Sequence, residues 1–461
     1  MELFKFIHHE DEPEKPAHLQ GMERNAYVPA IIDELTVHIA QTFGNQKLAK
    51  MFEIGMKNTL LTTFYIEDGG KSFVITGDIP AMWLRDSTTQ LRPFLLLLKK
   101  LNDKNFDQKF HDLIVGVIRK QTQLIAKDPY ANAFNASAVG AGHSNDDLCQ
   151  NPWVWEEKYE IDSLAYPMQL AYQVWKITGD DSFFDEQFRH NCYRILKQWT
   201  IEQNHEEQSK YRFIRQTNNP LETLPRAGKG KMVNTTGMTW SGFRPSDDAC
   251  TYNYNIPANL FAAQVLNYIQ EIAQEVFQDS DLLEYAQKLG QDIRQGVDQY
   301  GTIEHPKFGR MYAYEVDGFG QYLLIDDGNM PSLMSLPLTG GISVHDEVYK
   351  NTREFILSEY NPFYYVGTAA RGIGSPHTPN EYIWPIALSV QGITATDKKE
   401  KLAIIQTLLN TDAGTNMMHE SFHKDDPTLY TRHWFSWANS MFCELLLQQI
   451  GCTSEYLYKD K

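Results

Sequence analysis

The chain has 461 residues, 42% of them hydrophobic and 22% charged, an ordinary globular composition with ample length for a large core. Its formal net charge is −17, and no basic cluster stands against that balance, which excludes a phosphate-binding face and so a nucleic-acid partner. No apolar run approaches the ~18 residues that a bilayer span requires, so no membrane partner is expected.

Taken in order, the elements are mostly helical. The segment MELFKFIHHEDEPEK is too charged for a signal peptide. An amphipathic helix is expected after Asn25, running to Phe43. Phe73-Val74-Ile75-Thr76 is a short strand candidate. From Phe110, the apolar residues Leu113, Ile114, Val117, Leu124 and Ile125 repeat at helical spacing. Ile161, Leu164, Ala165, Met168, Tyr172 and Trp175 do the same. So do Leu260, Phe261, Val265, Tyr268, Ile269 and Ile272, in a helix that Pro257 can open. A second strand candidate covers 309–314. The last helical stripe is Trp434, Trp437, Ala438, Met441, Leu445 and Ile450, stopped by Gly451.

All such stretches together predict about a dozen helices. Alternating βαβ units are missing, which argues against a TIM barrel or a Rossmann fold. No linker or low-complexity segment divides the chain, so one catalytic domain spanning 1–461 is expected. Long polar, aromatic loops separate the helices at 77–87, 142–162, 235–255, 326–336, 371–384 and 414–434. Such loops in a compact domain are usually functional. Gathered at one end of a helical ring, they would line a deep polar cup. Nine Trp and 24 Tyr suit a sugar ligand, since sugar rings lay C–H faces on aromatic planes, though large helical cores use aromatics too. The five cysteines, Cys149, Cys192, Cys250, Cys443 and Cys452, are odd in number and lack CxxC spacing. They read as free thiols in a reducing compartment, which places the protein in the cytoplasm. Oligomeric state is not encoded in any of these features.

The chemistry concentrates in the loops. Asp247 and Asp248 are adjacent, and repelling carboxylates can leave one protonated, as a general acid requires. The same doublet equally suits an N-cap and a first-turn acid. Glu420 lies in His419-Glu420-Ser-Phe-His423, which matches the H-E-x-x-H zinc-peptidase signature. That reading needs a stable helix, whereas Gly414 and Pro427 bracket the segment as a loop, leaving Glu420 as a general base. Arg85 and Asp86 in Trp83-Leu-Arg-Asp-Ser can grip two adjacent hydroxyls or form a local ion pair. Trp153, Trp155, Glu156, Glu160 and Asp162 crowd one loop, while Asp326 with Asp327, and His377, sit in others. Nucleotide-binding glycine motifs and the G-x-S-x-G elbow are absent, so no cofactor and no serine nucleophile are expected.

Five separated motifs carry a resemblance. Gly77-Asp-Ile-Pro-Ala-Met-Trp-Leu-Arg-Asp-Ser, Trp240-Ser-Gly-Phe-Arg-Pro-Ser-Asp-Asp-Ala, Asp327-Gly-Asn-Met-Pro-Ser-Leu, Gly374-Ser-Pro-His-Thr and His419-Glu-Ser-Phe, in this order, resemble glycoside hydrolase family 125. The resemblance runs from about residue 25 to the C-terminus. It implies an all-α (α/α)6 barrel with short hairpins at the loop-rich end, and an exo-acting α-1,6-mannosidase that inverts without a metal or cofactor. Its substrates would be manno-oligosaccharides or N-glycan fragments. By motif it implies Asp247 as acid, with Asp248 as the alternative, and Glu420 as base. Arg85 and Asp86 would hold the terminal mannose, with Trp83, Glu160, Asp327, His377 and Asp248 around it. The rival readings are the same barrel acting on another α-linked sugar, and a zinc peptidase through His419 and His423.

Overall fold

The computed structural model describes residues 19–143 and 148–460. The charged N-terminal segment, residues 144–147 of the 142–162 loop, and Lys461 lie outside the described residues.

Two kinds of helix alternate along the chain, and burial separates them. Ser280–Tyr300 buries Leu282, Ala286, Leu289, Ile293 and Val297 at steps of three and four, so only one stripe faces inward. Ser436–Gln449 is buried continuously from Ser436 through Gln448, and Ile161–Thr178 from Ile161 through Val174. A helix covered all round must lie inside the others. The inner set is Leu84–Thr89 continued by Arg92–Leu95, then Ile161–Thr178, Ile256–Ile272, Leu336–Thr339, Pro385–Thr394 and Ser436–Gln449. Between them run Gln46–Asn58, Gln108–Ile125, Glu186–Gln203, Ser280–Tyr300, Glu347–Ile356 and Lys398–Asn410. The Leu84 helix packs on the Ile161 helix, which packs on the Ile256 helix; the Ser436 helix packs on the Pro385 helix and returns to the Leu84 helix, closing the ring. The fold is an (α/α)6 barrel around one continuous hydrophobic core.

The two sets also begin differently. Asn45, Asp107, Asp185, Asp279, Asp346 and Asp397 cap the outer helices with their side chains. Five inner helices start at Trp83, Glu160, Ser335, Trp384 and Phe435, which form no side-chain cap. The six long loops all enter inner helices. The partial positive charge of these N-termini therefore converges on one end of the barrel, where acidic side chains are most easily held.

The sequence expectations hold with shifted edges. The first helix is Ile31–Phe43, because Pro29 restrains the residues before it. Asp107 starts Gln108–Ile125, and Pro257 sits in the first turn of Ile256–Ile272. The last helix begins at Ser436, since Trp434 is tied to the 77–78 loop through its carbonyl, which accepts from Asp78 N at 3.2 Å. The strand candidates become Ser72–Val74, paired with Phe64–Ile66, and Gly309–Tyr312, a hairpin with Thr302–His305.

The ring is fastened inside by Arg92 and Glu444, on the first and last inner helices. Arg92 donates from Nε and Nη2 to the Glu444 carboxylate at 2.8 and 2.7 Å, and both side chains are fully covered. Breaking one partner strands a buried charge. Glu444→Ala or Arg92→Ala is expected to cost ~3–5 kcal/mol, whereas replacing both by Leu or Met should recover most of it. Thermal unfolding of the singles and the double checks this; singles no less stable than the double would refute it.

Candidate active site

Two small sheets at the loop-rich end aim the side chains. Met82–Trp83 pairs with Ala133–Phe134, which pairs with Val154–Glu156. This sheet delivers Trp83, Arg85 and Asp86 from one edge and Glu156 and Lys158 from the other. Ser421–His423 lies between Tyr382–Ile383 and Tyr430–Thr431, with Ser421 opposite Thr431. One more step along that register sets Glu420 beside Arg432. The Glu420 Oε1 to Arg432 Nη1 distance is 3.5 Å. Arg432 is itself held by Asp78, through Nε at 3.0 and 3.1 Å, and packs over the Phe435 ring.

Arg85 is the hub. Its Nη1 donates to Glu160 Oε2 at 2.6 Å and Asp162 Oδ2 at 3.2 Å, its Nη2 to Asp247 Oδ1 at 2.9 Å, and Asp86 stands 3.6 Å from Nε. Burial pushes Asp86 up to about 6 against the pull of Arg85, and Asp162 likewise to about 6. Burial also drives Glu160 well above the carboxylate range, opposed by Arg85 and reinforced by Asp247. Asp247 goes the other way. Burial would raise it, but Arg85, a hydrogen bond with Glu160, and the charges of Lys158 and His377 hold it below the usual range.

Asp247 occupies a tight turn. Its N–H donates to Arg244 O at 2.9 Å, and Arg244 N–H donates to Asp248 O at 2.8 Å. Its φ is +66°, a left-handed conformation that aspartate tolerates better than most residues. The turn directs the two carboxyls apart. Asp247 faces the cavity, while Asp248 is buried behind it against His377 Nδ1 at 3.0 Å. Asp327 is also behind, accepting from Ser246 Oγ at 2.8 Å and so bracing the same turn.

The cavity at this end has a volume of about 340 Å³, near the lower end of small-ligand sites. Trp83, Arg85, Asp86, Asp247, His377 and Glu420 line it. Glu160, Asp248 and Asp327 stand in the layer beneath. Sequence reasoning did not single out Lys158, Arg215, Glu222 and Arg432, yet all four line the wall. Arg215 bridges Glu222 and Glu156 at 2.9 Å each, and Lys158 Nζ donates to Glu222 at 2.9 Å. Lys158 and Arg432 lie in two of the polar loops but outside the motifs, Arg215 and Glu222 lie in none of those loops, and only their shared position in space marks them. Asn132, buried at 0% exposure beside Glu160 and Asp247, had no local signal at all.

The profile of the metal-independent alpha-mannosidases (GH125) matches residues 45–447. The chain belongs to this family. A Streptococcus pneumoniae metal-independent alpha mannosidase, solved in a non-productive substrate complex with alpha-1,6-mannobiose, is 47% identical with a TM-score of 0.88, over 92% of this chain and 99% of that one. The meiotically up-regulated gene 157 protein of Schizosaccharomyces pombe is 38% identical over 93% of this chain and 87% of its own length. A bacterial glucoamylase complexed with acarbose shares the fold alone, at 12% identity and TM-score 0.57, over 92% of this chain and 59% of that one.

In this α-mannosidase family member, the zinc-peptidase reading of 419–423 fails on geometry. Ser421–His423 is a strand, so the two histidines do not share one turn of a helix. His419 is buried under Tyr430, ring centroids 3.8 Å apart, with Nδ1 on His433 O and Nε2 on Thr415 Oγ, both at 3.1 Å. Glu222, Asp248 and His377 do bring three donor atoms within 4.8 Å of one another. Lys158 and Arg215 already sit on that Glu222, however, and the Asp248 pairing favours the charged form of His377. Burial would lower the His377 pKa, but the hydrogen bond and charge of Asp248, with Glu420 and Asp247, raise it to about 9. No helix among the described residues is long and apolar enough to cross a membrane.

A raised imidazole pKa means the charged form is favoured in the folded protein at pH values up to about 9, and its stabilising contribution fades above that. Asp248→Asn removes the main cause. The His377 titration, followed by NMR with labelled histidine, is expected to drop from about 9 to 6.5 or below. An unmoved titration would refute the pairing.

Proposed function

We propose that this protein is an exo-acting α-1,6-mannosidase that removes the nonreducing-end mannose of manno-oligosaccharides or N-glycan fragments with inversion, the chain serving as one catalytic domain. The observation that carries this reading is that Asp247 and Glu420 line one cavity, each beside its own arginine, with Trp83, Trp384 and Trp437 in the same wall. Asp247 gives a proton to the leaving oxygen. Glu420 takes one from a water on the opposite face of the ring, so C1 inverts and β-mannose is released. Arg85 and Asp86 grip adjacent hydroxyls of the terminal sugar, and Trp83 offers its ring face. His377 lines the same cavity and is paired with Asp248. The α-1,6-mannobiose complex of the 47% identical Streptococcus pneumoniae protein supports the linkage. Asp247 is preferred to Asp248 because Asp248 is buried at 1% exposure behind it. Five free thiols support a reducing, cytoplasmic setting.

Glu420→Gln should lower kcat on α-1,6-mannobiose by about 10²–10⁴-fold while leaving binding largely intact. The first-formed anomer, read by NMR, should be β. Full activity of the variant, or an α anomer, would sink the assignment, and faster cleavage of α-1,2- or α-1,3-mannobiose would move the specificity. Chelation should leave the rate unchanged; its loss would bring a metal back into consideration.

A further inference from the structure

An inverting general acid must carry a proton, yet Asp247 is pinned to a guanidinium, which favours its ionised form. The floor beneath it resolves the conflict. Arg85 is surrounded by four carboxylates, Asp86, Glu160, Asp162 and Asp247. Fully ionised, they would leave a large uncompensated negative charge out of water, and crowded carboxylates share protons instead.

The hydrogen bonds indicate which oxygen holds one. Glu160 Oε2 accepts from Arg85 at 2.6 Å and from Ser163 Oγ at 3.0 Å. Glu160 Oε1 instead meets Asn132 Nδ2 at 3.3 Å. That amide nitrogen also lies 3.2 Å from Glu156 Oε2 and 3.4 Å from Asp247 Oδ1. Two N–H bonds cannot serve three carboxylate oxygens. Glu156 has Arg215 as a further donor and Asp247 has Arg85, so Glu160 Oε1 is the acceptor left short. A proton there satisfies it, and Asp247 is in hydrogen-bond contact to receive it. Asp86 and Asp162 complete the charged groups facing this carboxyl. Glu160 is 0% exposed at its side chain and Asp247 23%, so the path from Glu160 to the cavity runs through Asp247.

We infer that Glu160 is the proton store of Asp247: its Oε1 carries a proton at rest and passes it to Asp247 as Asp247 protonates the leaving glycosidic oxygen. This rests on the reading of Asp247 as the acid. The bond from C1 to the leaving oxygen breaks and one from C1 to the water oxygen forms. The water's proton goes to Glu420, and the Glu160 proton passes to Asp247, which delivers a proton to the leaving oxygen and so ends ionised as it began. Solvent then takes the Glu420 proton and returns one to Glu160, so water alone is consumed. Glu160 acts through Asp247 and is a positioning residue in this sense, never touching the sugar.

The test compares wild type, Glu160→Gln, Glu160→Asp and Asp247→Asn on α-1,6-mannobiose and on α-mannosyl fluoride, whose leaving group needs no proton. Glu160→Gln is expected to lose ~10²-fold or more in kcat on mannobiose and less than about tenfold on the fluoride. Without the store, the proton must sit on Asp247 itself, which holds one only at lower pH than Glu160 does, so the alkaline limb of kcat/KM moves to lower pH. Glu160→Asp, its carboxyl set back by one methylene, is expected to fall between, and it carries the test if melting curves find Glu160→Gln unfolded. Equal losses on both substrates, or wild-type limbs in these variants, overturn the store. Asp247→Asn checks the reading beneath it: selective loss on mannobiose supports Asp247 as acid. If Asp247→Asn keeps mannobiose activity while Glu160→Gln loses it, Glu160 is itself the donor and the store is overturned.

Discussion

One guanidinium holds the floor of this site. Arg85 is 3% exposed and touches Asp86, Glu160, Asp162 and Asp247, which arrive from three separate stretches of chain. None of these acids could be buried so closely without it, because desolvation and mutual repulsion would both oppose their charge. The Arg85 side chain therefore sets where Asp247 points, how the acids of the floor share protons, and what the cavity presents to a sugar. Its own position follows from the Leu84 helix, whose Arg92 end is locked to Glu444. The fastening of the ring and the arrangement of the floor are thus parts of one construction.

The barrel supplies the second condition. Inner helices all enter from the mouth, and most enter without a side-chain cap, so backbone N–H groups keep their partial positive charge near the acids. The outer helices, capped by Asp and Asn, need no such arrangement. Capping residues that strengthen an isolated helix are left out where the helix end helps hold a binding site. The Asp247 turn shows the same exchange of local comfort for placement: an aspartate in left-handed backbone, braced by Asp327 through Ser246, keeps its carboxyl in the cavity and its neighbour's out.

Much of this was legible in the linear chain. The helical stripes through Ile161 and Leu260 were clear because burying a helix face imposes a 3.6-residue period. The six loops stood out because polar and aromatic residues gather where sugars are held. The sixfold order of helix pairs was hidden, since each inner helix need only be apolar, and many sequences meet that requirement. Lys158, Arg215 and Glu222 were hidden for another reason. A lysine between Glu157 and Tyr159 looks like any surface lysine until the Val154–Glu156 strand turns it into the wall.

What the sequence determined by itself is the helical class, the polar cup, the candidate acids at 247, 248 and 420, and, through five ordered motifs, the family. These depend on residue type and spacing, which the linear chain records. Tertiary structure alone separated Asp247 from Asp248, cancelled the helix that His419 and His423 would need, and gathered Asn132, Glu160 and Arg432 around the acids. Proton placement and ligand geometry depend on distances of a few ångströms between residues far apart in the chain. Coulomb and hydrogen-bond energies change steeply over such distances, and no local pattern fixes them.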